Sequence, residues 1–191
     1  MVIGMGLTPP EPPLADEVVT LRPWHADDAP AVAAAIDGDA EIVRWLDQVP
    51  QPYGLDDARE YIAACRRGWD EGTAVSFAVV DAADGKLLGA LGLRVADLPT
   101  GVAEARYWVA RGARGRGVAT HALQLAARWI LGRAGIERLQ LRTEALNVPS
   151  QRVAEKAGFT REGVLRSLHY NARLRRRVDF VMFSLLPGEL P

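Results

Sequence analysis

The chain is poor in cysteine, histidine and lysine, and each shortage closes off a class of function. Cys65 is the only cysteine among 191 residues. No internal disulfide can form, which suits a reducing cytoplasm. His25, His121 and His169 are the only histidines, and none stands at metal-ligand spacing from another or from Cys65, so no metal is expected. No run approaches the roughly 18 apolar residues that cross a bilayer. The apolar residues 1–7 lack a basic residue ahead of them and end at the prolines of 9–13, unlike a signal peptide. Only two of the 23 basic residues are lysine, which reads as compositional bias more than function, although arginine is the better fork for phosphate oxygens.

What remains is ordinary globular composition, 49% hydrophobic and 25% charged, in a length that suits one domain. The net charge of −1 conceals a split. Residues 1–95 carry 7 basic against 16 acidic side chains, and residues 96–191 carry 16 against 8. Such a division suggests partners of opposite charge, a zwitterionic site between the halves, or simply two solvated faces.

Residues 1–13 read as a flexible lead-in and 14–187 as one domain. The pattern predicts a strand over 18–24 and helices over 27–36, 41–46 and 55–68, the last with Leu55, Ala58, Tyr61, Ile62 and Cys65 on one face. Period-2 segments follow at 74–81, 86–95 and 102–110, the first two joined by an Asp84-Gly85 hairpin turn. A strong amphipathic helix over 118–131, a strand over 136–143, a short helix over 148–157 closed by Gly158, and strands over 159–165 and 178–186 complete the chain. The fold class is mixed α/β: an antiparallel meander, then one strand–helix–strand crossover that makes a single parallel pair.

The turn of that crossover carries the chemistry. Arg111-Gly-Ala-Arg114-Gly-Arg-Gly117-Val-Ala-Thr120 lies where a strand ends and a helix begins. Gly115 and Gly117 free backbone N–H groups to close around an anion, and the helix N-terminus adds positive potential. Arg111, Arg114 and Arg116 add donors that can fork onto phosphate. The absent Gly-Lys-Ser/Thr ending excludes a P-loop. A dinucleotide fold needs several βαβ repeats where only one is available.

These residues also carry a family resemblance. Tyr107-Trp-Val, with Arg114-Gly-Arg-Gly-Val-Ala119, resembles motif A of the GNAT N-acetyltransferases, matched directly at Arg114, Gly117 and Ala119. Asn147-Val-Pro-Ser150 with Glu155-Lys-Ala-Gly-Phe159 resembles the family's Asn-x-x-Ser…Lys-x-Gly-Phe segment. Asp179 with Phe183-Ser-Leu-Leu186 is similar to the end of the RimJ/RimL-like branch. The resemblance covers nearly all of residues 14–187. It implies a GNAT fold, with a mostly antiparallel central sheet, flanking helices and a splayed parallel pair. It also implies acetyl-CoA as co-substrate, and a primary amine as acceptor: first a protein or peptide N-terminal α-amine, second a small amine such as a polyamine, aminoglycoside or amino acid. A non-catalytic CoA-binding module on the same fold is the alternative outside enzymes. No membrane partner is implied, nucleic acid is disfavoured, and a homodimer is left open.

In its terms, the backbone of 114–119, including Gly115, Arg116, Gly117, Val118 and Ala119, with Arg111, Thr120 and Asn147 beside it, would hold the cofactor. The pantetheine arm would pair near Trp108 and Val109, with the Val109 amide polarising the thioester oxygen. Glu104 would be the general base, since an amine must lose a proton before it attacks; the plainer alternative is an exposed strand glutamate. Ser150 is the candidate acid for the leaving thiolate and Tyr170 a weaker one, although Asn147 and Ser150 also read as a helix cap and its third residue. His25 reads as a local cap or surface residue rather than a base, and His121 as structural. Trp45, Tyr53 and Trp69 read as core before acceptor wall, and Arg173–Arg177 as a turn or a 3′-phosphate contact.

Overall fold

Val75, Phe77 and Val79 point to one side of a strand and Ala78 and Val80 to the other, and all five are buried. This double-sided burial requires layers on both faces of the sheet. A computed structural model describes residues 8–97, 100–133 and 135–190 and supplies both layers. The elements run β1 (Leu14–Ala15), β2 (Val19–Arg22), α1 (Ala29–Ile36), α2 (Ala40–Trp45), α3 (Leu55–Asp70), β3 (Ala74–Asp81), β4 (Leu87–Asp97), β5 (Val102–Val109), α4 (Val118–Ile130), β6 (Arg138–Glu144), α5 (Val148–Lys156), β7 (Thr160–Asn171) and β8 (Arg176–Leu185). One eight-stranded sheet has the order β1-β2-β3-β4-β5-β6-β8-β7, and only β5 and β6 pair in parallel.

The helix α4 buries Val118, Ala122, Leu123, Ala126 and Ile130 at spacings of three and four residues, facing the larger core. On the other face Val32 and Ile36 of α1, Ile42 of α2 and Ala58 and Ile62 of α3 pack with Trp24, Tyr53 and Trp108. Tyr53 and Trp69 are core residues as expected: Tyr53 is buried, and Trp69 donates to the Ser76 carbonyl at 3.0 Å and packs edge-on to Phe77. His121 is structural too, its Nδ1 lying 2.8 Å from Asp16, which fastens α4 to the first strand turn.

Differences from the expected elements have local causes. The helix expected from residue 27 starts as a 3-10 turn, Ala26–Asp28, and becomes α-helical at Ala29, with Pro30 in the first turn where its missing N–H costs nothing. Strand β7 runs to Asn171, well past 165. It is an exposed edge strand, so neither face imprints an apolar alternation on its sequence. The Arg173–Arg177 run forms the β7–β8 turn and the start of β8. Residues 1–7 of the expected lead-in lie outside the described residues, while Thr8–Pro12 line a shallow groove with Trp129 and Arg133.

Candidate active site

The strands β5 and β6 pair from Val102–Arg138 to Ala105–Leu141 and then part. Beyond that point β6 pairs only with β8, while β5 stays with β4 to Val109. A cleft of about 840 Å³ opens in the gap, within the range of small-molecule sites. The Ala110 N–H donates to the Leu88 carbonyl at 2.8 Å, which fixes the phase of the β4–β5 ladder. In that phase Trp108 spends its backbone groups on β4, and those of Tyr107 and Val109 face the gap. Of the two residues expected along the pantetheine, therefore, Val109 is the one with a backbone N–H turned toward it.

Past Val109 a 3-10 turn, Arg111–Ala113, leads into two left-handed glycines, Gly115 at φ 75° and Gly117 at φ 81°. Gly117 is the N-cap of α4, and the first helical bond runs from His121 N–H to the Gly117 carbonyl. The N–H groups of Val118, Ala119 and Thr120 thus have no partner within the helix. A side chain at Gly115 would meet nothing within 4 Å. This is a backbone cradle for an anion at a helix N-terminus.

Two of the three arginine side chains are held by carboxylates. Arg114 reaches back to the acidic half of the chain, with Nη2 2.5 Å from Asp39, Nη1 2.7 Å from Glu41 and Nε donating to the Val109 carbonyl at 3.1 Å. Arg116 pairs with Asp81 at 3.0 Å, and Arg111 is exposed. Asp39 is also the N-cap of α2, accepting from the Glu41 and Ile42 amides. Burial pushes its carboxyl up, but Arg114 and the two amides pull it below the usual range. Here three acidic residues of the first half pair directly with Arg114 and Arg116 of the second, and the amides of the turn remain open as an anion cradle.

Across the gap, Asn147 caps α5 by accepting from the Ser150 amide at 3.2 Å. The Ser150 hydroxyl lies 2.7 Å from the phenol of Tyr107, on the gap-facing phase of β5. Burial pushes the Tyr107 phenol up to about 12 against the opposing effect of the Ser150 bond, so it stays protonated.

Glu104 is buried at 3% exposure and lines the cleft. Arg142 of β6 bonds its Oε2, Arg106 bonds its Oε1 at 3.1 Å, Arg94 of β4 lies 3.9 Å away, and Gln140 donates at 3.4 Å. Burial raises its proton affinity, but Arg142 and Arg106 outweigh that and hold the carboxyl below its ordinary range. The alternation that puts Glu104 and Arg106 on one face of β5 is as the sequence predicts. The crowd of arginines is not legible there, because Arg94 and Arg142 come from neighbouring strands.

Tyr170 is displaced from its expected role. It is 52% exposed and sits between His169 and Asn171, both of which line the cleft while Tyr170 does not. Strand alternation turns it to the opposite face. His169 takes the place at the wall, with Nε2 2.9 Å from Asp47 of the α2–α3 loop. Arg173, considered above as a 3′-phosphate contact, bonds the backbone carbonyls of Asp47 and Val49 and pins the same loop. Trp45 lines the cleft, with the Arg44 guanidinium 4.5 Å from its ring centroid. Sequence reasoning missed Tyr107 and His169 as site residues. The phase it shares with Val109 was a usable signal for Tyr107; for His169, 122 residues from its partner, no pattern existed.

Residues 19–160 match the model of the acetyltransferase (GNAT) domain. The chain belongs to the GNAT acetyltransferase family. N-acetyltransferase p20 of Bacillus licheniformis, itself uncharacterized, is 28% identical over 176 residues, which span 92% of this chain and 97% of p20. YdaF of Bacillus subtilis, named as a candidate ribosomal N-acetyltransferase, is 27% identical over 91% of this chain and 94% of its own length. Among solved structures, Mycobacterium smegmatis RimJ in complex with CoA-disulfide shares the fold with a TM-score of 0.79 at 23% identity, over 91% of this chain and 84% of that one.

Proposed function

We propose that this acetyltransferase moves acetyl from acetyl-CoA to a primary amine by direct attack, and that its acceptor is the N-terminal α-amine of a protein or peptide. One observation carries the reading: the strand gap that exposes the Val109 N–H ends at the anion cradle of α4 and faces the Ser150–Tyr107 hydroxyl pair. The three features are what a phosphate-bearing thioester needs along its length.

In this reading the amides of 115–120 hold the pyrophosphate and Asn147 fixes the entry of α5. The Val109 N–H donates to the thioester oxygen as negative charge builds there; a preorganised donor of this kind is worth about 2.7–4 kcal/mol. Ser150 gives a proton to the departing sulfur and Tyr107 refills it. Glu104, with both oxygens engaged, holds Arg106 and Arg142 at the cleft wall and is a poor proton acceptor. Support for the α-amine comes from the RimJ/RimL-like closing segment and from the description of YdaF.

The test is release of CoA thiol from acetyl-CoA across acceptors. The panel holds peptides with free α-amines, the same peptides N-blocked but with a lysine, polyamines and an aminoglycoside. Turnover confined to free α-amines is expected. Turnover with small amines alone would overturn the acceptor assignment and leave acetyl transfer standing.

A further inference from the structure

The acceptor ammonium must lose a proton, and the buried Glu104 carboxylate at the cleft wall is committed to arginines. We infer that His169, oriented by Asp47, is the general base of this enzyme, an inference that rests on the acetyl-transfer reading above. His169 lines the cleft with a side chain 46% exposed, while its Asp47 partner is 14% exposed. With Nε2–H donating to Asp47, the lone pair lies on Nδ1, the nitrogen left to take a proton. A histidine held by a carboxylate in this way is fixed in tautomer and orientation, and the carboxylate stabilises the imidazolium that forms.

The backbone is built to present this side chain. On β7 Leu165 pairs with Phe180 and His169 with Val178, so residues 166–168 stand against Asp179 alone. The bulge carries Ser167 at φ 56°, a left-handed conformation uncommon for a residue other than glycine. Its geometry is held from β8: Arg177 donates to the Ser167 carbonyl and hydroxyl, both at 2.9 Å, and Asp179 accepts from the Ser167 N–H at 2.7 Å. Bulges of this kind re-aim side chains beside active sites, and local strain persists where neighbours over-determine it. The ring of Phe180 stands edge-on to His169 at 6.0 Å, closing one side.

The proton balance is complete with this group. An ammonium gives one proton to His169 Nδ1 and becomes the attacking amine. Its N–C bond forms as the carbonyl pair moves to oxygen, the C–S bond then breaks, and the sulfur leaves with that pair. The second nitrogen proton passes to water as the amide forms, the sulfur takes a proton from Ser150, which regains one from water through Tyr107, the third proton stays on the amide, and His169 releases its proton to solvent after turnover. Charged groups that share the neighbourhood are Asp47 in the α2–α3 loop, Glu41 of α2, Arg142 and Glu144 of β6, and Arg173 of the hairpin turn, which binds the Asp47 backbone. Arg177 and Asp179 of β8 are turned to Ser167.

The experiment is the pH profile of kcat/KM for an acceptor that wild type acetylates, compared among wild type, His169→Gln, His169→Ala and Asp47→Asn. His169→Gln should lose about 100-fold or more, keep its KM for acetyl-CoA, and show a rate that climbs steadily with pH where wild type levels off. Added imidazole should restore His169→Ala at least about tenfold, and Asp47→Asn should lower kcat/KM while keeping the KM for acetyl-CoA. If activity and melting temperature fall together, with the wild-type profile kept and no rescue by imidazole, the His169–Asp47 pair is a structural clip and the inference is overturned. Calorimetric binding of acetyl-CoA shows that each variant is folded. A wild type that turns over no amine at all would instead overturn the proposed function, and this inference with it.

Discussion

The Tyr107 phenol and the Ser150 hydroxyl lie 2.7 Å apart, joining strand β5 to the first turn of α5 across the strand gap. The pair gives the serine a proton source behind it, since a lone serine hydroxyl is a weak acid. Ser150→Ala should lower kcat about 100-fold or more, as for loss of a general acid. Tyr107→Phe should lower it by less, on the order of tenfold, because Ser150 can still be supplied by water. Neither change should alter acetyl-CoA affinity much. Steady-state kinetics with both variants, and with the double variant, decides the matter. Independent, multiplying effects would mean that the two hydroxyls do not act as a relay.

Arg114 ties the cofactor loop to the N-cap of α2, and this makes a second prediction about stability. Arg114→Ala leaves the buried Asp39 carboxylate without its guanidinium and should cost about 1–3 kcal/mol. The folded Asp39 carboxyl titrates below its unfolded value of about 3.9. Its contribution is therefore full above that value and is lost as pH falls through the lower folded one. Urea melts of wild type and Arg114→Ala should differ most at neutral pH and converge as pH falls below the ordinary carboxylate range. A constant difference across pH would place the cost elsewhere, in the lost bond to the Val109 carbonyl.

The contrast between Arg114 and Gly117 shows where the sequence was informative. Strand β3, helix α4 and the glycine turn were legible because each follows from local rules: alternation, 3.6-residue periodicity, and the freedom of glycine at positive φ. The crossover and its parting strands followed from element order together with the family pattern. What Arg114 binds was not legible. Its partners lie 73 and 75 residues away, and nothing local distinguishes a phosphate-binding arginine from one neutralising a distant acid. Tyr170 failed for a related reason. A bulge of three residues resets the face of β7, and only the backbone pairing reveals it.

Glu104 supplies a third prediction. Its carboxyl is held below the ordinary range while three arginines surround it. Protonation of Glu104 thus cannot produce a loss of activity near neutral pH; that effect would begin only below the ordinary carboxylate range. Glu104→Gln should keep the neutral-pH shape of the rate profile and lower the melting temperature, because Arg142 loses its buried counter-charge, at a cost of about 3–5 kcal/mol. A profile whose limb near neutrality disappears in Glu104→Gln would return the base role to this residue.

The last prediction separates two costs at the anion cradle. Gly115 and Gly117 both hold positive φ, which costs an L residue about 1–2 kcal/mol. A Cβ at Gly115 meets open space, whereas one at Gly117 would lie 3.3 Å from the His121 ring. That ring cannot simply swing away, because its Nδ1 is bonded to Asp16. Gly115→Ala should therefore pay the backbone cost alone. Gly117→Ala should add the displacement of His121 and rotate the first amides of α4, weakening acetyl-CoA binding about tenfold or more, with kcat at saturation little changed. Denaturation curves and calorimetric titration with acetyl-CoA measure the two quantities separately. Combining Gly117→Ala with His121→Ala should recover part of the lost affinity, since the smaller side chain gives the new methyl room; no recovery would mean that the backbone angle alone sets the cradle.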